Sequence, residues 1–369
     1  MRLSILSLLL IFSLASFAQK FYLFTGTYTG TGSKGIYVYQ FNAANGTASL
    51  VSNTDSVANP SYLTVSADAK NLYAVNETHP GYVSSFSFNK KNAKLSFINS
   101  QPTGGFDPCY VIRDNTGKWL MVANYTGGSI AVFPVNQDGS LKPYSQLIQD
   151  SGSSVNKERQ EKAHVHSAIF SPDQNFLFSP DLGMDKVMIY KFKPSLKKPL
   201  IPASPAYEMT MAGEGPRHFV FHPNKKFAYL ISELSGAVSA YNYHDGKLKK
   251  FQNIKAHPED FKGVIGSADI HISPDGMYLY VSNRGDENTI TIFSINNTGK
   301  LKLSGYQSTM GKTPRNFIID PTGNYLLVAN QGSDNIVIFK RDKKTGLLKE
   351  TGNEIKVPKP VCLQMAELK

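Results

Sequence analysis

Four side chains in this sequence could do chemistry together: His166, Arg217, Glu233 and Arg284. Two guanidiniums can hold an anionic group through bidentate hydrogen bonds, or stabilise an oxyanion as it forms. A carboxylate and an imidazole can move protons to and from an attacking water. Hydrolysis of an ester or lactone needs no more than that, provided the fold brings four residues so far apart in sequence into one pocket.

The fold that would do so is written in a repeat. In the stretch GPRHFVFHPNKKFAYLISELSG, from Gly215 to Gly236, His218 to His222 is an apolar run, Pro223 to Lys226 a turn, and Phe227 to Ser232 a second run, so the unit reads as two short strands. Copies start at Pro60, Pro108, Val165, Pro216, Ser267 and Pro314, which by subtraction are 48, 57, 51, 51 and 47 residues apart. Most copies continue with an alternating strand, a turn carrying Gly, as at Asp138-Gly139 and Asp245-Gly246, and a strand containing Leu. The copy from Val165 has Lys193-Pro194 to Pro202 in place of the Gly turn, which predicts an irregular outer edge. A period near 50 made of short strands predicts an all-β propeller, one four-stranded blade per repeat.

Both ends of the chain then find a use. The N-terminal stretch FYLFTGTYTGTGSKGIYVYQFNAANGTASL matches the last three strands of a blade, and Lys359 to Met365 resembles a first strand with nothing after it. Joined, they make a seventh blade, in which the C-terminal strand closes the ring and leaves only short, protected sheet edges.

First strands line the channel of a propeller, so aligned positions face a shared pocket. The residue after each start is Ser61, Cys109, His166, Arg217, Ala268 and Arg315. The residue after each Asn-type position (Asn76, Asn124, Asp181, Ser232, Asn283, Asn330) is Glu77, Tyr125, Leu182, Glu233, Arg284 and Gln331. His166, Arg217, Glu233 and Arg284 therefore come from three consecutive blades and can converge. Plainer readings stand beside this one: an inter-strand ion pair for Arg217 and Glu233, a satisfied core histidine for His166, and a surface pair for Arg284 with Asp286 or Glu287. The Asn series reads as backbone-binding at strand ends. His164 and His166 invite a metal with Glu233 as third ligand, but no further ligand cluster is apparent. Serine-nucleophile motifs, phosphate-binding loops and Cys-x-x-Cys pairs are absent.

Met1-Arg2, the apolar run Leu3 to Leu14, and Ala15-Ser16-Phe17-Ala18 have the three regions of a secretory signal over 1–18, with cleavage after Ala18 and the propeller over 19–369. The run is too short to span a bilayer, so no stable membrane insertion is expected and the mature chain should be exported, to the periplasm. Cys109 and Cys362 fall on blades that are not ring neighbours, which argues against a disulfide. The formal charge of +11 favours anionic partners. Much of the excess is lysine at outer turns, such as Lys90-Lys91, Lys249-Lys250 and Lys343-Lys344, which reads as a solvated rim. Neither an RNA-binding signature nor a long basic helix accompanies it, so nucleic acid is not an expected partner.

These stretches resemble the lactonase family of seven-bladed propellers, which includes the propeller-type 6-phosphogluconolactonases and the fungal carboxymuconate-lactonising enzymes. The most specific pieces are GTYTG from Gly26, RQEKAHVHSAIFSPD from Arg159, GPRHFVFHP from Gly215, YLISELSG from Tyr229 and YLYVSNRGDENTI from Tyr278. The resemblance covers essentially the whole mature chain and implies catalytic roles for His166, Arg217, Glu233 and Arg284, the set that the repeat comparison singles out. It implies hydrolysis of 6-phospho-D-glucono-1,5-lactone to 6-phosphogluconate, a step of glucose metabolism, with no metal or other cofactor.

On that reading Glu233 or His166 activates water, while Arg217 and Arg284 bind the phosphate or the developing oxyanion. His164, Arg315, Asn316, Lys312, Glu77 and Asn124 are candidate contacts to a small anionic sugar lactone. The charged segment from Gln149 to Lys162 should lie near the channel mouth. An export signal fits poorly with a cytoplasmic phosphate ester, so an unphosphorylated sugar lactone stays open. So do a muconate-type lactonising cycloisomerase and a non-catalytic periplasmic binding propeller.

Overall fold

Seven antiparallel sheets of four strands follow one another around an axis in this computed structural model, which describes residues 19–368 apart from positions 31, 55 and 56. The expected export signal over 1–18 lies outside the described residues. Among those residues no helix is long and apolar enough to cross a membrane. Numbered in chain order, blade 1 is closed by both ends of the chain. Its inner strand is Pro360–Glu367, which pairs with Lys20–Thr27 so that Phe21 faces Glu367 and Gly26 faces Cys362. The inner strands of blades 2 to 7 are Leu63–Val65, Pro108–Arg113, Ile169–Phe170, Pro216–Phe221, Ser267–Ile272 and Pro314–Ile319.

The sequence pattern follows from what each strand touches. Second strands such as Phe227–Ser232 and Tyr325–Asn330 are buried at every position, because a neighbouring blade covers each face, and so they read as unbroken apolar runs. Burying Leu230 or Ile231, both fully enclosed, stabilises the fold by about 1.5–3 kcal/mol each. Outer strands such as Lys247–Lys255 alternate, since one face meets water. Most blades carry a bulge between the third and outer strands, but in blade 4 it is larger: Met188 pairs Tyr207 and Tyr190 pairs Pro202, where blade 5 goes only from Ala240 with Gln252 to Tyr241 with Lys250. The inner strand of blade 4 is shorter than the Val165 start predicts. His164 N donates to the Asp181 carboxylate at 2.8 Å, and Val165 makes only an isolated bridge to Asp181, so the regular ladder begins at Ile169.

Two local devices decide what faces the axis. Just before the inner strand, Asn59, Asp107, Gly215 and Thr313 are left-handed, with φ of 42°, 51°, 63° and 58°. Glycine, Asn and Asp take that conformation at least cost, and at Gly215 a Cβ would also meet Leu234 Cγ at 2.6 Å. The turned carbonyls accept the N–H of the residue just past the second strand: Glu77 at 3.0 Å, Tyr125 at 3.0 Å, Glu233 at 2.7 Å and Gln331 at 3.0 Å. The second device is a register shift at the second residue of the inner strand, at Cys109, Arg217 and Arg315. A bulge there re-aims the side chain. Together they bring both sequence positions to one end of the channel.

The Asn series pins blade to blade. Nδ2 of Asn76, Asn124, Asn283 and Asn330 donates to the carbonyls of Ala58, Thr103, Ala256 and Thr309 at 3.1, 3.4, 3.2 and 3.0 Å, each in the connection after the preceding blade's outer strand. Asn124 is therefore structural, against the expectation that it contacts substrate. Both cysteines are buried and free.

Candidate active site

Glu233 is the point on which the other expected residues converge. Arg217 Nε lies 2.9 Å and Arg284 Nη2 3.0 Å from Glu233 Oε2, and His166 Nε2 lies 3.9 Å from the same oxygen. The second oxygen, Oε1, is taken at 2.6 Å by Arg159 Nη2, which also donates to the Tyr125 hydroxyl at 3.3 Å. Arg159 comes from the long connection between blades 3 and 4, and its side chain is 44% exposed where that of Glu233 is 8% exposed. The cavity here, about 290 Å3, is lined by Glu77, Cys109, Tyr125, Arg159, His166, Glu233, Arg284 and Arg315.

Arg217 is absent from that wall. Its side chain is 2% exposed, and it reaches across to blade 6, where Nη1 donates to the Ala268 carbonyl. It therefore backs Glu233 instead of gripping a substrate as expected. Arg284 is on that wall: Nε and Nη2 donate to the carbonyls of Gly266 at 2.9 Å and Ser267 at 3.3 Å, and the guanidinium lines the cavity. On the far side, Arg315 Nη2 lies 3.7 Å from Glu77 Oε2, and the Tyr28 hydroxyl donates to Glu77 Oε1 at 2.8 Å.

Burial alone would raise the pKa of Glu233, but Arg284, Arg217, His166 and Arg159 together hold it well below the usual carboxylate range. A carboxylate gripped by three guanidiniums is ionised and a weak base. Burial, then the charges of Arg217 and His218, push the His166 imidazole well below its ordinary value. His166 is therefore neutral at pH 7, which is the protonation state a general base requires.

A family described as "Lactonase, 7-bladed beta-propeller" matches residues 22–365. The chain belongs to this family. It is 44% identical over 317 residues to a protein of Formosa agariphila named 6-phosphogluconolactonase, covering 81% of this chain and 86% of that one. It is 36% identical over 349 residues to the 6-phosphogluconolactonase of Bacillus subtilis, covering 94% and 98%. The solved structure of the periplasmic gluconolactonase of Pseudomonas aeruginosa superposes with a TM-score of 0.91 at 37% identity, covering 95% of this chain and 100% of that one.

Within this lactonase-family site the remaining expected residues scatter. His164 does not line the cavity, although its ring and that of His166 both lie against Tyr125. Its Nε2 lies 3.1 Å from both Glu161 oxygens, its Nδ1 3.2 Å from the Tyr125 carbonyl, and its ring stacks on Tyr125. Asn316 turns away from the cavity, bonding to Asp269 through Nδ2 and accepting from Leu363 N at 2.7 Å through Oδ1. Lys312 is exposed on the connection before blade 7 and does not line the cavity. Among the described residues no group of three or more His, Cys, Asp or Glu is arranged to hold a metal ion.

The buried charges make the fold sensitive to acid. His166 is depressed well below the ordinary imidazole value and His218, by burial and then Arg217, to about 4. From about pH 6.5 downward the unfolded chain takes up protons on these rings before the folded chain does, so stability is lost as pH falls. Glu233 and Asp269, held well below the carboxylate range against the effect of burial, extend the loss below about pH 4.5. His271 works the other way. Burial lowers its pKa, but Asp269 outweighs this and raises it, so its contribution fades only as pH rises. Thermal unfolding followed from about pH 8 to pH 4 is expected to show Tm falling on acidification and falling faster below about 4.5. A flat profile would contradict this account of the buried groups.

Proposed function

We propose that this chain hydrolyses a small anionic sugar lactone in the cavity around Glu233, specifically 6-phospho-D-glucono-1,5-lactone to 6-phosphogluconate. The observation that supports an anionic substrate is charge. On the cavity wall Arg159, Arg284 and Arg315 outnumber Glu77 and Glu233, three cations to two carboxylates, which leaves one guanidinium unbalanced. The relatives named 6-phosphogluconolactonase support the phosphate.

In this reading a water lies between His166 and Glu233. Neutral His166 takes a proton as the water oxygen bonds to the lactone carbonyl carbon. The carbonyl electron pair moves onto its oxygen, where Arg284 stabilises the charge. Collapse of the tetrahedral species breaks the bond to the ring oxygen, which leaves with the proton returned from His166. Only water and lactone are consumed. Arg159, on its exposed connection, exchanges Glu233 for the phosphate, while Glu233 Oε2, 3.9 Å from His166 Nε2, faces the imidazolium.

Arg159→Ala is then expected to raise KM for the phosphorylated lactone roughly tenfold or more, the loss of one charge-assisted contact, with kcat near the parent value. Initial rates on glucono-1,5-lactone should change much less. Equal effects on the two lactones would rule out a phosphate on Arg159.

An unphosphorylated substrate is the second reading, favoured by the periplasmic gluconolactonase of Pseudomonas aeruginosa and by the signal-like residues 1–18. We propose on the same grounds that the mature chain begins at Gln19 and is exported. Intact mass of the protein from a periplasmic fraction tests this: an N-terminus at Gln19 is expected, and retention of Met1 in the cytoplasm would overturn it. A panel of both sugar lactones and a muconolactone, run on the mature protein, separates the substrates.

A further inference from the structure

A second cavity, of about 480 Å3 against about 290 Å3 for the one around Glu233, is one that lactone chemistry does not use. It opens at the opposite end of the channel. The inner strand of blade 5 runs from Arg217, at the Glu233 end, to Phe221. The second cavity is bounded by the turns that follow the inner strands of blades 3, 4 and 5, through Asn115, Gln174 and Lys225. A single layer of rings divides the two spaces. His218 lies 5.3 Å from His166 and 5.5 Å from Tyr110, centroid to centroid, and Tyr110 stacks on Tyr62 at 4.1 Å.

Asp269 organises the polar side of this second cavity. It is buried and accepts from His218 Nδ1 at 2.7 Å, His271 Nε2 at 3.0 Å, Ile270 N at 2.9 Å and Asn316 Nδ2. One nitrogen of each ring is spent on the carboxylate. The other nitrogen of each, His218 Nε2 and His271 Nδ1, has no protein partner among the described residues, although His218 is only 5% exposed. The His271 side chain is 34% exposed and both rings line the cavity, so both nitrogens are open to a ligand there. The two nitrogens differ in character. With its pKa depressed, His218 is neutral, gives its proton to Asp269, and presents a lone pair at Nε2. With its pKa raised by Asp269, His271 takes a second proton, at Nδ1, more readily than a free imidazole does. The walls are aromatic, through Tyr62, Tyr110, Phe170, Phe219 and Phe221, and Lys225 stands at the rim.

We propose that this cavity binds a small aromatic acid that carries a hydroxyl group. The aromatic walls hold the ring, His271 and Lys225 take the carboxylate, and the hydroxyl donates to His218 Nε2. The proposal does not rest on the lactonase reading of the other cavity.

Calorimetric titration of the mature protein with 4-hydroxybenzoate as probe tests it, with phenol as comparator. Binding at one site per chain is expected. Lys225→Glu, on an exposed turn, and His271→Ala should each weaken the acid by roughly tenfold or more, while Lys225→Glu leaves phenol unchanged. Arg159→Ala, at the other end of the channel, should leave the acid's affinity as it is. Absence of binding at millimolar 4-hydroxybenzoate would overturn the proposal, as would equal affinity for acid and phenol. Loss of binding in Arg159→Ala with retention in His271→Ala would place the acid in the Glu233 cavity instead, and would equally overturn it.

Discussion

Glu233→Gln is expected to lower kcat/KM on the lactone by at least roughly a hundredfold, and to cost the fold stability as well. The substitution keeps shape and removes charge. Arg217, whose side chain is 2% exposed, then has no carboxylate within reach, and Arg284 Nη2 loses its ion pair and keeps the Ser267 carbonyl. Neutralising one partner of a buried ion pair costs about 3–5 kcal/mol, because the remaining charge stays desolvated. Turnover suffers for a separate reason: an amide neither orients His166 as an acceptor nor balances the imidazolium that forms when His166 takes the proton.

The two losses come apart when Arg217 is changed too. Arg217→Met with Glu233→Gln removes both members of the buried pair, so the double variant should regain much of the stability lost by Glu233→Gln alone. It should regain none of the activity. Denaturant unfolding and initial rates on the parent and the two variants measure both. Activity within tenfold of the parent in Glu233→Gln would mean that the carboxylate only holds the blades together, as the plain ion-pair reading has it.

The site was legible because it occupies repeat positions. Of the eight residues on the wall, Cys109, His166 and Arg315 follow a repeat start, and Glu77, Tyr125, Glu233 and Arg284 follow the Asn-type residue. Those positions converge because left-handed residues such as Gly215 bond past the second strand and bulges re-aim the inner one. The eighth residue, Arg159, has no counterpart in other blades, and only the length and charge of the segment from Gln149 to Lys162 pointed to it. Lys312 and Asn316, named as candidate contacts with Arg315, do not line the cavity. Asn316 follows the bulge and turns to Asp269, and Lys312 remains in solvent. The cluster of His218, Asp269 and His271 lies inside runs that read as buried strand. Whether such residues face a neighbouring blade or a cavity depends on a register that the bulges displace, and sequence alternation does not carry it.

His166→Asn is expected to lower kcat by about 10²–10⁴, the range for removing a general base, with little change in Tm. The pH profile says which group is the base. In the parent, burial and Arg217 keep His166 unprotonated well below its ordinary value, so kcat/KM should stay level from neutral pH through the ordinary imidazole range before it falls. Arg217 is the charge that depresses that ring most and does not line the cavity, so Arg217→Met should move the acid limb towards neutral pH: removing a cation makes the imidazolium easier to form. If Glu233 were the base, the same change would again raise its pKa, but His166→Asn would leave both the limb and most of the rate in place. A limb that shifts in Arg217→Met and a rate that collapses in His166→Asn therefore assign the proton to the imidazole, with Glu233 as its anchor and Arg217 as the charge that sets its working range.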